Sequence, residues 1–398
     1  MESGLMGRGG GVGVIPGVVE KGSSIQFYTA CPFSIQALDL ASYPQIEFRD
    51  KGMPFSLPYL GSSRSALVAV ITWCILAVFA SVHMMSLEGN PLWLRMVALA
   101  IFACLMGLYL GLMVEGPSQE PISWRWAPVI VFLACYGLTQ GYSVLAGQWS
   151  VADALGGVAF LGIPLGLVFL GRSRPWPGWV DVAVILSLWL PYEARLHPAL
   201  RLPPGSGGVQ LFKLMLIVVI LIIYVRLRPI PKLGAKLDLD RKEFRIALIY
   251  FAVFVVPIAI PFAMLTGFVE PGMVPRSAFE YSVRILVTLF FVALPEELLF
   301  RGLIQNQLMN RLGERPALVI ASILFGLSHI NNLDPPLVYL QFGALGSLPV
   351  PWAYLILATI AGLIYGRVYL KTGNLTAAAF THTLVDVTWW TFFAGSTS

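Results

Sequence analysis

Long runs of apolar residues, each close to the length needed to cross a lipid bilayer, recur along the chain from residue 65 onward. About 20 apolar residues in a helix span the hydrocarbon core. The runs are continuous rather than alternating, which favours helices over a membrane β-barrel. We therefore expect an all-α, polytopic transmembrane bundle. The pattern predicts about eleven spans, at 65–87, 93–114, 127–147, 151–171, 178–192, 209–225, 246–267, 279–300, 316–330, 351–370 and 374–394.

The overall composition agrees with this pattern. Of the 398 residues, 57% are hydrophobic and only 12% are charged, with a mean hydropathy of +0.77. Soluble domains carry about 25% charged residues. The net charge of +5 is expected to reflect basic cytoplasmic loops rather than binding of nucleic acid. The sequence predicts a multi-pass protein of the cell (plasma) membrane whose first partner is the lipid bilayer.

One strongly basic loop, at 226–245, predicts both the orientation and the division of the chain. Basic loops stay on the cytoplasmic side, which places the N-terminus inside and the C-terminus outside. The loop separates helices of unassigned role at 65–225 from a second helical region at 246–398, and a cytoplasmic arm at 1–64 precedes both. Its basic residues are Arg226, Arg228, Lys232, Lys236, Arg241, Lys242 and Arg245.

Three charged residues interrupt the apolar run around position 300. Glu297 and Arg301 are spaced i,i+4, which predicts an ion pair on one helix face. Glu296 points about 100° away from Glu297 and has no evident partner. A charge near the bilayer centre costs at least ~2.5–3.5 kcal/mol, and Pro295 is expected to kink the helix. The alternative is a helix end, with Glu296 in headgroup water.

Two further motifs place histidines in late apolar runs. His329 follows Phe325 by four residues, and Asp386 follows His382 by four, so Asp386 is positioned to orient the imidazole or share its task. A single histidine on an apolar helix is more often a structural hydrogen-bonding group.

The three motifs are predicted to lie at one depth in the membrane. Measured from the nearest basic residue at the inner edge, the helical rise gives about 21 Å from Arg315 to His329, about 16 Å from Lys371 to His382 and about 22 Å from Arg311 to Glu296. A carboxylate and two imidazoles at one depth favour a polar cavity built for acid–base chemistry or for a metal.

The motifs resemble those of the CPBP family of intramembrane proteases, which includes CAAX proteases and bacteriocin-processing enzymes. The resemblance covers about 280–390. It rests on Glu296-Glu297-x-x-x-Arg301, Phe325-x-x-x-His329 and His382-x-x-x-Asp386, in that order along the chain.

The resemblance implies hydrolysis of a peptide bond in a membrane-associated protein or peptide, including prenylated CAAX-type substrates. It implies that Glu296 and His329 activate a water molecule, and that His382 and Asp386 stabilise the oxyanion. Many members have Asn at the last position, and an ionised Asp386 would repel an oxyanion, so its direct role is in doubt. Glu297, Arg301 and Phe325 are expected to be structural and charge partners.

Other interpretations remain open at the level of sequence. Glu296, His329 and His382 offer three ligands for Zn²⁺, which would make the enzyme a metalloprotease, although no cofactor is required by the pattern. A non-proteolytic membrane scaffold or immunity protein of the same fold is one alternative function. An ion-coupled transporter is another, but the polar cluster occupies only the second half, whereas transporters often repeat such features in two halves.

Overall fold

A computed structural model describes residues 63–114, 123–174, 178–194, 196, 198–205, 208–273, 275–342 and 346–394. The predicted N-terminal arm at 1–64 lies outside these residues except for its last two positions. The helices of the first half are α1 (Ser63–Ser86), α2 (Leu92–Leu112), α3 (Ala127–Leu145), α4 (Val151–Gly171), α5 (Trp179–Glu193) and α6 (Leu211–Leu221), with a π-helical segment at Ile222–Leu227.

The second half contains longer helical series joined by π-helical segments. The first is α7 (Arg241–Phe254), a π segment at Val255–Ala259 and α8 (Ile260–Leu265). The next is α9 (Ala278–Thr288), a π segment at Leu289–Ala293, α10 (Leu294–Glu297), a π segment at Leu298–Gln305 and α11 (Asn306–Leu312). The last helices are α12 (Glu314–Leu327), α13 (Trp352–Thr372) and α14 (Leu375–Phe392).

Each predicted apolar run corresponds to a helix or to an unbroken helical series, so the prediction of a mostly helical membrane protein is confirmed. Among the described residues, six helices are long and apolar enough to cross a bilayer. Large apolar side chains on their outer faces are exposed, such as Leu170 at 77% and Leu265 at 87%, as expected for surfaces that face lipid. The count of eleven spans and the orientation of the termini stay predictions.

Several predicted boundaries differ from the structure. The basic loop is shorter than 226–245, because the π-helical segment runs to Leu227 and α7 begins at Arg241. The start of α7 is set by Asp240, whose side chain accepts the backbone N–H of Glu243 at 2.7 Å, while the Glu243 carboxylate accepts the Asp240 N–H at 2.8 Å. The run predicted at 279–300 continues in helical conformation to Leu312.

The helix is therefore unbroken at Pro295, between two π-helical segments. The wider π turns accommodate the missing backbone donor, and such turns often occur at functional sites. Glu296 and Arg311 thus lie on one helical series, as the depth argument assumes.

Short strands in the connections add a small β component to the predicted all-α fold. The antiparallel pairs are β1 (Arg201–Leu202) with β2 (Val209–Gln210), β3 (Glu270–Pro271) with β6 (Phe393–Ala394), and β4 (Val338–Gln341) with β5 (Ser347–Val350). The pairing of β3 with β6 joins the approach to α9 to the end of α14.

Two packing arrangements position the polar residues of the second half. Helix α12 packs closely on α13, where a Cβ at Gly362 would lie 3.0 Å from the backbone of Ser322. Gly373, with φ of +64°, ends α13, and the Asn374 side chain caps α14 by accepting the Thr376 N–H at 2.9 Å. Helix α14 then packs against α7, α10 and α13, which brings its polar face toward Glu296 and Glu297.

Candidate active site

A fully buried ion pair supports the candidate catalytic residues. Glu297 and Arg301 are both 0% exposed, and Glu297 Oε2 lies 3.0 Å from Arg301 Nε, the i,i+4 contact that their spacing predicts. Arg301 also donates from Nη2 to the Gly362 carbonyl at 3.0 Å, and its Cζ lies 4.6 Å from the ring centroid of Phe325. The carbonyl of α13 and the aromatic face offset part of the desolvation cost of the guanidinium.

The second oxygen of Glu297 contacts a residue 85 positions away along the chain. His382 Nδ1 lies 3.0 Å from Glu297 Oε1. A carboxylate paired with arginine is ionised and only accepts, so the proton of this hydrogen bond belongs to Nδ1. Glu297 therefore orients His382. The i,i+4 spacing had predicted this role for Asp386.

The other nitrogen of His382 faces two carboxylates. Its Nε2 lies 3.6 Å from Asp386 Oδ2 and 4.0 Å from Glu296 Oε2. Glu296, His382 and Asp386 are thus close together, and His329 lies on the same aromatic ring as His382, since Phe325 contacts both imidazoles.

The two adjacent glutamates have different environments. The side chain of Glu296 is 33% exposed and that of Asp386 is 27% exposed, whereas that of Glu297 is 0% exposed. The structure thus separates a reachable carboxylate from a buried one, as the angle between adjacent helical residues predicts.

His329 lies in the turn that follows α12, because the helix ends at Leu327 rather than at the predicted residue 330. Its Nδ1 is 2.8 Å from the carbonyl oxygen of Phe325 and 3.3 Å from Ser328 Oγ. Since a carbonyl only accepts, Nδ1 carries the proton, and Nε2 of the neutral ring keeps its lone pair. His329 is oriented as a hydrogen-bond acceptor.

Aromatic rings hold both imidazoles in place. Phe325 meets His329 and His382 edge to face, with centroid distances of 4.9 Å and 5.8 Å. Tyr365 of α13 stacks on His382 at 4.6 Å with an interplanar angle of 17°, and Tyr354 lies 5.1 Å from the His329 ring. Sequence reasoning missed both tyrosines. The only signal for Tyr365 is a hydroxyl-bearing ring in an apolar helix.

The predicted zinc ligands do not form a metal site in this arrangement. Within the described part of the chain, no group of three His, Cys, Asp or Glu side chains is placed to hold a metal ion, and this includes Glu296, His329 and His382. The predicted metal-dependent mechanism gains no support.

Comparison with models of known protein families gives a match in the second half of the chain. A family model described as type II CAAX prenyl endopeptidase Rce1-like matches residues 278–388. Residues 278–388 are thus similar to this endopeptidase family. This finding is consistent with a CPBP family protease. No curated protein and no solved structure shows significant similarity to the chain.

The matched region runs from the start of α9 almost to the end of α14. It contains all three motifs, together with Tyr354, Gly362 and Tyr365 of α13. The match begins at residue 278, so the helical region predicted at 65–225 keeps its unknown role. The predicted domain boundary at 246 is likewise untested.

Proposed function

We propose that the protein is an intramembrane endopeptidase that hydrolyses a peptide bond in a membrane-associated protein or peptide of the cell (plasma) membrane. The observation that carries this proposal is the partly exposed Glu296 carboxylate next to the buried Glu297–Arg301–His382 network, inside the region similar to Rce1-like endopeptidases. A network that only stabilises the fold needs no reachable carboxylate beside it, whereas a catalyst needs an oriented acid–base set.

The nucleophile in this proposal is a water molecule activated by Glu296 and His329. Glu296 accepts a proton from the water, and the lone pair on His329 Nε2 accepts its second O–H and orients it. The oxygen then attacks the carbonyl carbon of the scissile bond. Glu296 later returns its proton to the leaving amine. The exposure of Glu296 and the Nδ1–H bond of His329 to Phe325 support these roles.

The oxyanion is stabilised in this proposal by His382. When both ring nitrogens are protonated, Nδ1 donates to Glu297 and Nε2 donates to the oxyanion. The negative charge of Glu297 favours this protonated ring, as a carboxylate behind a histidine does in other hydrolases. Asp386 acts through its contact with His382 Nε2 at 3.6 Å rather than by binding the oxyanion. An ionised carboxylate would repel that oxygen.

The proposed substrate is a prenylated CAAX-type protein, and this follows from the description of the matched family. The proposed chemistry uses protein groups alone. Addition of a chelator is therefore expected to leave the rate unchanged in an assay of purified protein, and loss of activity that zinc restores would favour the metal-dependent alternative.

The test is cleavage of a tagged, membrane-associated peptide by the purified full chain in proteoliposomes. Glu296→Ala and His329→Ala are each expected to abolish cleavage while the protein stays folded. Glu314→Ala, at an exposed acid in the first turn of α12, is the matched control and is expected to cleave normally. Cleavage by either site variant at the wild-type rate would refute the assignment. A cellular phenotype that survives Glu296→Gln would favour the scaffold.

A further inference from the structure

Pro295 leaves one backbone carbonyl of the site's helical series without its helical donor. The backbone N–H of Leu294 donates to the carbonyl of Leu289, five residues earlier, which is the π-helical register. The next donor in this register is residue 295, and its acceptor is the carbonyl of Phe290. Proline has no backbone N–H, so this bond is missing. Phe290 is only 5% exposed, and a buried carbonyl without a partner is costly in a protein or a bilayer.

A tyrosine from the first half of the protein supplies the missing donor. Tyr109 of α2 is 1% exposed, and its hydroxyl donates to the Phe290 carbonyl at 3.2 Å, across 181 positions of the chain. Phe102, about two turns earlier on α2, stacks on the ring of Phe291 with a centroid distance of 6.2 Å and an interplanar angle of 26°. Helix α2 therefore contacts two adjacent residues of the π-helical segment through two different side chains.

The turn that Tyr109 contacts sets the direction of the glutamates that follow it. A π turn holds one residue more than an α turn, and each helical residue adds about 100° around the axis. Loss of the π turn would therefore rotate Glu296 and the residues beyond it by a comparable angle. The contacts of Glu297 with Arg301 Nε and with His382 Nδ1, both at 3.0 Å, depend on this angle. The bond to the Phe290 carbonyl thus bears on the geometry of the whole site.

We propose that Tyr109 is a positioning residue for the proposed catalytic glutamate. Its hydroxyl replaces the N–H that Pro295 lacks, and it holds the π turn in the geometry that presents Glu296. This inference rests on the endopeptidase proposal and deepens it, because it gives a residue of the first half a part in the reaction. Tyr109 acts through the backbone of the helical series and takes no part in bond breaking. The role depends on the hydroxyl rather than on the ring.

The experiment compares Tyr109→Phe with a matched control, Tyr142→Phe, in the full chain in proteoliposomes. Tyr142 of α3 is 2% exposed, and its hydroxyl has no hydrogen-bond partner within the described part of the chain. Each substitution therefore removes one buried hydroxyl from the first half. Both are also made in a Pro295→Ala background, which restores a backbone N–H at position 295. The readouts are kcat and KM for an S-farnesylated fluorescent peptide, and the deuterium uptake of the backbone amides at 289–298.

Tyr109→Phe is expected to lower kcat about 5-fold or more, with KM within about twofold of wild type, because the glutamate is less well positioned while substrate binding is intact. Deuterium uptake at 289–298 is expected to rise in the same variant. Tyr142→Phe is expected to match wild type in both readouts. In the Pro295→Ala background, Tyr109→Phe is expected to have no further effect, because the restored N–H binds the Phe290 carbonyl.

Three results overturn the inference. They are a Tyr109→Phe protein with wild-type kcat and deuterium uptake, a rise in KM at constant kcat, and a loss of equal size in both backgrounds, which shows that the hydroxyl does not compensate for Pro295. If the wild-type protein does not cleave the peptide, the endopeptidase proposal fails, and deuterium uptake still decides whether Tyr109 holds the turn. If Pro295→Ala does not fold, the comparison of Tyr109→Phe with Tyr142→Phe decides the question.

Discussion

The two halves of the protein each bury an arginine–carboxylate pair, and the pairs differ in what surrounds them. In the first half, Arg228 binds both oxygens of Asp181 at 2.8 Å and 2.9 Å and donates to the carbonyl of Gly171 at 2.9 Å. The other contacts of this pair are with backbone groups, the Gly171 carbonyl and the Gly178 N–H. In the second half, the Arg301–Glu297 pair continues to His382 and from there faces the partly exposed Glu296 and Asp386.

This difference separates two uses of buried charge. The Asp181–Arg228 pair ties the start of α5 to the residues after α6, where it satisfies helix ends. The Glu297–Arg301 pair lies inside a helical series and supports a histidine whose Nε2 lies beside the partly exposed carboxylates of Glu296 and Asp386. A network whose groups all bind one another or the backbone, such as Asp181–Arg228, contributes to folding. A network that ends at partly exposed groups, such as Glu297–Arg301–His382, also presents oriented groups to a substrate.

The largest expected effect comes from breaking the pair at the site. Glu297→Gln leaves Arg301 buried without its counter-charge and removes the charged acceptor that orients His382. We expect a loss of about 3–5 kcal/mol in stability. Activity per folded molecule is also expected to fall sharply. Thermal unfolding in detergent and cleavage normalised to folded protein measure the two effects. An unchanged melting temperature contradicts the structural role.

Breaking the pair in the first half is expected to affect stability alone. Asp181→Asn leaves Arg228 buried with its carbonyl partners but without a counter-charge, which we expect to cost about 3 kcal/mol. Activity per folded molecule stays at the wild-type level because this network does not reach the site. The same two measurements apply. A specific loss of activity in the folded variant would erase the distinction between the halves.

A smaller effect is expected from the ring that supports His382. Tyr365→Leu removes the stacked contact at 4.6 Å, which is worth about 0.5–1.5 kcal/mol. The rate per folded molecule is expected to fall several-fold because His382 is less well oriented. Tyr365→Phe keeps the ring and serves as the control, measured in the same cleavage assay. Equal losses in both variants would assign the effect to the hydroxyl group.

The smallest effect concerns a cap outside the membrane and depends on pH. The Glu243 backbone N–H donates to the Asp240 carboxylate, and this bond lowers the pKa of Asp240 below its usual range. A lowered folded pKa gives stability that is present above the unfolded pKa of about 3.9 and lost as the pH falls through the folded value. Asp240→Asn is therefore expected to melt slightly earlier than wild type near neutral pH.

The difference between Asp240→Asn and wild type is expected to shrink in acid as the wild-type carboxyl is protonated. Melting temperatures measured from pH 3 to 7 test this trend. A difference that is constant across the range would show that the charge of the carboxylate does not matter to the cap.

Much of this arrangement follows from sequence because it depends on local spacing. Apolar runs predict the helices, and the i,i+4 spacing predicts the contact between Glu297 and Arg301. Depth along each helix predicts that His329 and His382 approach Glu296. The bond from His382 to Glu297 was beyond such reasoning, since it joins residues 85 positions apart and depends on how α14 is rotated about its axis.

The contacts that α13 makes with the site could not be predicted from local spacing either. The Gly362 carbonyl and the Tyr365 ring reach the site only because α12 and α13 pack closely, and the spacing of residues in their apolar run does not predict this contact. The end of α12 at Leu327 is a further example. It moves His329 from a helix into a turn, where the Phe325 carbonyl sets its tautomer.

The most direct test of the account is the cleavage rate of Glu296→Gln in proteoliposomes, with the folded fraction measured on the same sample. This substitution keeps the size of the side chain and removes only its charge and basicity. If Glu296 is the general base, the rate falls by about 10²–10⁴-fold, and the melting temperature is unchanged because Glu296 is partly exposed and outside the buried pair. A folded Glu296→Gln protein that cleaves at the wild-type rate would contradict it.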